Sequence, residues 1–166
     1  MERQIIQQHV DAIKKIAREQ FVLEGETNIH GFNHWEAVER NAIMLSMQEG
    51  VDELVVRLFA YLHDSQRLDD GADPLHGERA AVFVTRLRKE GKLSFLSDEQ
   101  YGILYEACRT HHTGVISLND ITLGACFDAD RLELDRVGII PDPKFMSTRV
   151  GKFVAIKMRD IANFSW

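Results

Sequence analysis

Ile5, Ile6, Val10, Ile13, Ile16 and Ala17 recur at helical spacing with charged residues between them, so residues 2 to 20 read as an amphipathic helix. The stretch GETNIHGFN, rich in Gly and Asn, leads into a second helical pattern over about 34 to 48, with Asn33 as its N-cap and a stop near Gly50. A third helix opens at Asp52 and places Leu54, Val55, Leu58, Phe59 and Leu62 on one stripe. Asp73 and Pro74 read as N-cap and first residue of a fourth, which closes at Arg88, Lys89 and Gly91. Ser97 and Gln100 have the spacing of a capping box for a fifth that runs to Gly114. A sixth pattern covers about Asn119 to Arg136, before Gly138, Pro141 and Pro143 interrupt it. The segment STRVGKFVAIKMRDIANFSW reads as one more helix. No run alternates as a strand does and no segment repeats, so an all-α fold is expected. It is read as a single domain over 1 to 166, with a core of about 30 to 138 and the segment 144 to 166 packed on it.

The apolar stripes contain titratable residues. His63, with Asp64 beside it, falls four positions after Phe59 on the third stripe. His34 shares a face with Val38, Ala42 and Leu45, and His76 shares one with Ala80, Phe83 and Leu87. His111 follows Leu104, Ala107 and Cys108, and Asp130 lies between Phe127 and Leu134. A side chain that only decorates a surface has no reason to continue such a stripe. A single inward histidine is ordinarily a hydrogen-bonded core residue. Several together, with carboxylates, are different, because an ionised carboxylate inside a helical core needs a cation or strong donors. A divalent cation supplies that need. Imidazole nitrogens with carboxylate oxygens suit Mn, Fe, Co, Ni, Zn or Mg, and no thiolate set points to structural zinc.

Composition narrows the picture. A chain of 166 residues can bury a core without disulfides. Its formal charge of -6, from 26 acidic and 20 basic residues, argues against a general nucleic-acid or membrane-surface binder. Cys108 and Cys126 form no CxxC and lie in apolar patterns, as buried reduced thiols do. The opening MERQIIQQHVD is polar where a secretory signal is apolar, and nowhere do 18 apolar residues run together. A soluble cytoplasmic protein, with a homodimer as an allowed state, is the expectation.

Three segments in order, FNHWEAVERNA with His34, LFAYLHDSQR with His63 and Asp64, and FDADRLELDRVG with Asp130, resemble the HD-domain superfamily of metal-dependent phosphohydrolases. The likeness covers most of the chain. It implies an HD-type helical bundle with a metal site between core helices, held by His34, His63, Asp64 and Asp130. Asp128, which lies with Ile121, Ala125 and Leu132, competes for the last place; the ADRL stretch favours Asp130. Arg67 stands where one branch of the superfamily, acting on deoxynucleoside monophosphates, has a Glu, and where another has a phosphate-contacting Lys in HDxxK. It keeps the charge of the latter and adds a fork suited to phosphate oxygens. The alternative for Arg67 is a salt bridge to Asp69 or Asp70. His76 in HGERAA, with His111 or His112 in RTHHTG, resembles the histidines that two-metal branches add, with Asp64 as the bridge. These three histidines are read as second-metal ligands, as phosphate-binding groups or as residues that orient other ligands. A single ion is the preferred reading, because the four-residue signature is complete without them.

The resemblance implies hydrolysis of a phosphate ester or anhydride, with a nucleotide or another small phosphorylated metabolite as substrate. Asp64 and Arg67 are the expected catalytic residues, and Arg109 and Arg131 lesser phosphate-facing candidates. No GxxxxGK[ST] loop is present to identify a base. Two rival readings share the fold: a di-iron oxygenase, which needs six ligands, and a metal-bound signalling module without turnover.

Overall fold

The computed structural model describes residues 2–23 and 28–164. Part of the GETNIHGFN loop lies outside the described residues. Those described form α-helices and short 3-10 turns, with no strand among them. The helices are α1 (Glu2–Gln20), α2 (Phe32–Leu45), α3 (Glu53–Leu62), α4 (His76–Lys89), α5 (Asp98–Thr110), α6 (Ile121–Arg131) and α7 (Arg149–Phe164).

The centre of the bundle is α3, which packs against α1, α2, α5 and α6. Its residues from Val55 to Leu62 are all buried, which is why its sequence is apolar nearly all round. Arg57 is the exception inside that run. Its Nε donates to Glu39 at 3.0 Å, its Nη1 to Glu53 at 3.1 Å and its Nη2 to Gln7 at 2.6 Å, so the guanidinium is buried with its donors used. On the far side of α5 packs α4, while α7 lies against α6 and the 3-10 turn at Pro143–Phe145.

Several helix boundaries follow the predicted caps. Asp52 accepts from the Val55 amide, and Ser97 and Gln100 form the reciprocal capping box. Others differ. Gly31, not Asn33, precedes α2, and the chain is held there by the Trp35 amide on Gly31 O and the Trp35 indole on His30 O. Asp73 does not cap α4 and Pro74 is not its first residue. The Asp73 carboxylate is drawn to the Leu68 amide and Arg79, so the helix starts at His76, whose amide bonds Asp73 O. The segment expected as one helix from Asn119 to Arg136 is divided: Asp120 caps α6, which ends at Arg131, and a 3-10 turn covers Leu134–Val137. Arg131 anchors that break by donating to Phe145 O and Val115 O, and Gly138 at φ 80° closes the turn.

Candidate metal centre

Five elements deliver side chains to one place. His34 comes from the first turn of α2, where the apolar face carrying Trp35, Val38 and Ala42 is buried. His63 and Asp64 follow directly on the last turn of α3, so the most buried helix ends in the cluster. His76 opens α4, His111 begins the 3-10 turn after α5, and Asp130 sits in the last turn of α6.

Asp64 stands between two pairs of histidines. Its Oδ2 lies 3.6 Å from His34 Nε2 and 3.4 Å from His63 Nε2, and its Oδ1 lies 3.4 Å from His76 Nε2 and 3.6 Å from His111 Nε2. Within the pairs the Nε2 atoms are 3.2 Å apart for His34 and His63 and 2.9 Å apart for His76 and His111. Asp130 closes the first pair, with Oδ1 at 3.1 Å from His34 Nε2 and 3.6 Å from His63 Nε2. His112 belongs with His76 and His111, their nearest ring nitrogens lying within 4.8 Å of one another, but it is exposed at the rim.

Asp128 is not part of this cluster. It faces the opposite way, accepting from the Ser147 and Thr148 amides at 2.7 and 2.8 Å and from the Thr148 hydroxyl at 2.7 Å. Thr148 in turn accepts from the Gly151 amide, so Asp128 fastens the entry to α7. A two-residue step along a helix turns a side chain by about 200°, which separates the two roles. Asp130, and not Asp128, is the carboxylate that the fold brings to His34 and His63.

Arg67 is buried rather than paired with a surface carboxylate. Its Nε donates to Asp64 Oδ1 at 3.0 Å and its Nη1 to the carbonyls of Asp69 and Gly71, each at 3.3 Å. It borders a cavity of about 270 Å³ that also meets Asp64, His76, His111, His112 and Asp130. Arg131 reaches this cavity with its donors committed to carbonyls, whereas Arg109 pairs with Glu106 and Glu78 and does not line it. Two residues absent from the sequence-based set line it as well: His30, held by Asp70 through its amide and Nδ1, and Arg136. Both lie outside the regular helices, where no periodic stripe marks an inward side chain. Gly77 matters for His112, because a Cβ there would come within 2.6 Å of the His112 ring and 2.7 Å of Arg109 O.

Electrostatics shows what the cluster lacks. Burial opposes charge on His63, but Asp64 and Asp130 outweigh it and raise its pKa to about 10. Burial likewise opposes ionisation of Asp64 and Asp130, yet the histidines hold both well below the usual carboxylate range. On the other side burial and the neighbouring His111 lower His76 to about 4, so that ring is neutral at pH 7. Three of the rings engage a main-chain carbonyl through Nδ1: His63 with Phe59 and Ala60, His76 with Asp73, and His111 with Cys108. Such bonds hold an Nδ1 proton and point Nε2 of each ring inward. Inward-facing Nε2 atoms and two carboxylates make a nitrogen and oxygen donor set of a kind that fits divalent cations. The buried thiol of Cys108 is pushed up by burial and stays protonated, so it adds no soft ligand.

The bundle is similar to a solved structure, a predicted HD superfamily hydrolase from an uncultured Thermotogales bacterium, with a TM-score of 0.73 and 24% identity over 93% of this chain and 87% of that one. The chain has an HD-type fold. No family model and no curated protein matches the sequence. No helix among the described residues is long and apolar enough to cross a membrane.

Proposed function

We propose that the protein is a metal-dependent hydrolase of phosphate esters or anhydrides, whose histidines and carboxylates around Asp64 would hold two divalent cations. The observation that carries this reading is the division of the Asp64 carboxylate, one oxygen toward His34 and His63 and the other toward His76 and His111. His34, His63 and Asp130 would hold one ion, His76 and His111 the other, and His112 stands beside the second. This arrangement is our reason for preferring two ions to the single ion expected from the sequence. Divalent cations so held supply Lewis acidity toward a phosphoryl oxygen and lower the pKa of water.

The chain's own groups do the rest. Arg67 holds Asp64 through Nε and lines the cavity with the remainder of its guanidinium, which suits it to neutralise charge that develops on phosphoryl oxygens. Asp64 and Asp130 remain ionised at neutral pH and so keep the site ready for cations. His112, exposed at the mouth, can donate to a substrate phosphate. A small phosphorylated metabolite is the substrate class, and a nucleotide is the first group to assay. The test is a panel of phosphorylated compounds with Mn, Co, Ni and Mg. Arg67→Ala is expected to keep the metal and lower kcat by about 100-fold, with Arg67→Lys recovering part of it. Full activity in Arg67→Ala removes its catalytic role, and no turnover across the panel removes the hydrolase reading.

The six-residue set of His34, His63, Asp64, His76, His111 and Asp130 also meets the ligand requirement of a di-iron oxygenase on this fold. Arg67 beside Asp64 favours a phosphorylated substrate over that reading. Two irons per chain with a paramagnetic signal after aerobic purification would reverse the preference.

A further inference from the structure

The four buried imidazoles are not held alike. His63, His76 and His111 each engage a carbonyl of their own turn through Nδ1. His34 does not. Its Nε2 faces Asp130, Asp64 and His63, its side chain is 1% exposed, and its Nδ1 has no partner among the described residues. A ligand histidine whose second nitrogen is unheld can rotate and is a weaker base.

A second cavity, of about 290 Å³, lies against His34 and is bordered by Asn33, Ala37, Arg40, Glu133 and Arg136. Glu133 is half-buried there. Its main chain is engaged, the amide on Asp130 O and the carbonyl by Arg136, but its carboxylate takes no donor from the described residues. Burial, aided by Asp135, pushes the Glu133 carboxyl up, while Arg136 and Arg40 draw it down. Of the two asparagines on this cavity, Asn28 already receives the His30 amide on its side-chain oxygen and Asn33 is exposed. A buried imidazole without an acceptor and a half-buried carboxylate without a donor therefore open on one space. Water, at about 30 Å³ per molecule, fits that space several times over.

We propose that water in this cavity joins His34 Nδ1 to the Glu133 carboxylate, which makes Glu133 the positioning residue of His34. The inference rests on the metal-centre reading above. With Nε2 given to a cation the ring proton lies on Nδ1, and a carboxylate at the end of the bridge fixes the ring plane and strengthens Nε2 as a donor. Glu133 follows Asp130 by three residues, so the segment that supplies one ligand also supplies the support of another.

The test compares Glu133→Gln, Glu133→Leu and, as a control on an exposed neighbour, Asp135→Asn. Mn²⁺ affinity is measured by competition with a chelator at fixed pH, and the melting temperature of the metal-free protein is recorded beside it. Glu133→Gln is expected to weaken Mn²⁺ binding on the His34 side by about 10-fold and Glu133→Leu by up to about 100-fold, with Asp135→Asn at parent affinity. The melting temperatures should stay together, which a merely structural role for Glu133 would not allow. In the Zn²⁺-loaded protein the His34 Nδ1–H resonance should move in both Glu133 variants and not in the control. Parent-like affinity in Glu133→Leu, or an unmoved His34 resonance, overturns the inference alone. A parent that binds neither ion overturns the metal-centre reading and this inference with it. If Glu133→Leu fails to fold, Glu133→Gln decides by the same two measurements.

Discussion

The two sides of Asp64 are built from different material. His34, His63 and Asp130 come from α2, the end of α3 and α6, which pack closely on one another in the centre of the bundle. His76, His111 and His112 come from the first residue of α4 and the turn after α5, at the bundle's edge. The central side concentrates charge: two carboxylates meet its histidines and keep a proton on His63. The peripheral side has one carboxylate oxygen, already bonded by Arg67, and a neutral imidazole at His76. In the proposed centre a cation would displace the His63 proton on one side and meet the neutral His76 ring on the other. The same donor types thus differ in acidity between the two sides because burial and the number of carboxylates differ.

Removing the shared carboxylate abolishes the comparison. Asp64→Ala is expected to reduce bound metal from about two per chain toward zero and to leave no activity, by elemental analysis and assay. Because it also strands buried histidines and Arg67, stability should fall by about 3 kcal/mol or more in chemical denaturation. Retention of both ions would refute the bridging role.

Breaking one side only is the next effect in size. His76→Ala should lower the metal ratio from about two toward one while the ion held by His34, His63 and Asp130 stays. Equal loss from both sides would mean that the ions bind as one unit.

Proton linkage sharpens the contrast without a mutation. The His63 pKa is raised to about 10, so the ring is charged at pH 7 and a cation on its side must release that proton. Affinity there should rise by about tenfold per pH unit as the pH increases from 7 toward 9, and level off above the His63 pKa. His76, lowered to about 4, carries no proton in this range and imposes no such slope. Titration of His76→Ala isolates the central side; a flat profile there would contradict the proton on His63.

The smallest effect is expected at Asp128, which touches neither side. Asp128→Asn should keep the full metal content and activity and cost about 1 to 2 kcal/mol, because a neutral amide accepts less well from the Ser147 and Thr148 donors. Loss of metal in this variant would return Asp128 to the candidate ligands.

Local sequence determined the helices and which residues turn inward. Helical period alone placed His34, His63, His76, His111 and Asp130 on buried faces, because each side chain's direction follows from its neighbours three and four positions away. Caps at Asp52 and Ser97 were legible for the same reason: their partners are three residues on. Where the deciding partner is distant in sequence, the reading failed or stayed open. The start of α4 depends on Asp73 being claimed by Leu68 and Arg79, and the end of α6 on Arg131 reaching Val115 and Phe145. His30 approaches the cavity from a turn and Arg136 from the 3-10 turn after α6, and neither continues an α-helical stripe. Only the packing of α2, α3, α4, α5 and α6 decided that Asp64 gives one oxygen to each pair of histidines, that Asp130 rather than Asp128 joins them, and that His34 and Glu133 open on one space. Those relations are distances between helices, and no spacing along a single helix contains them.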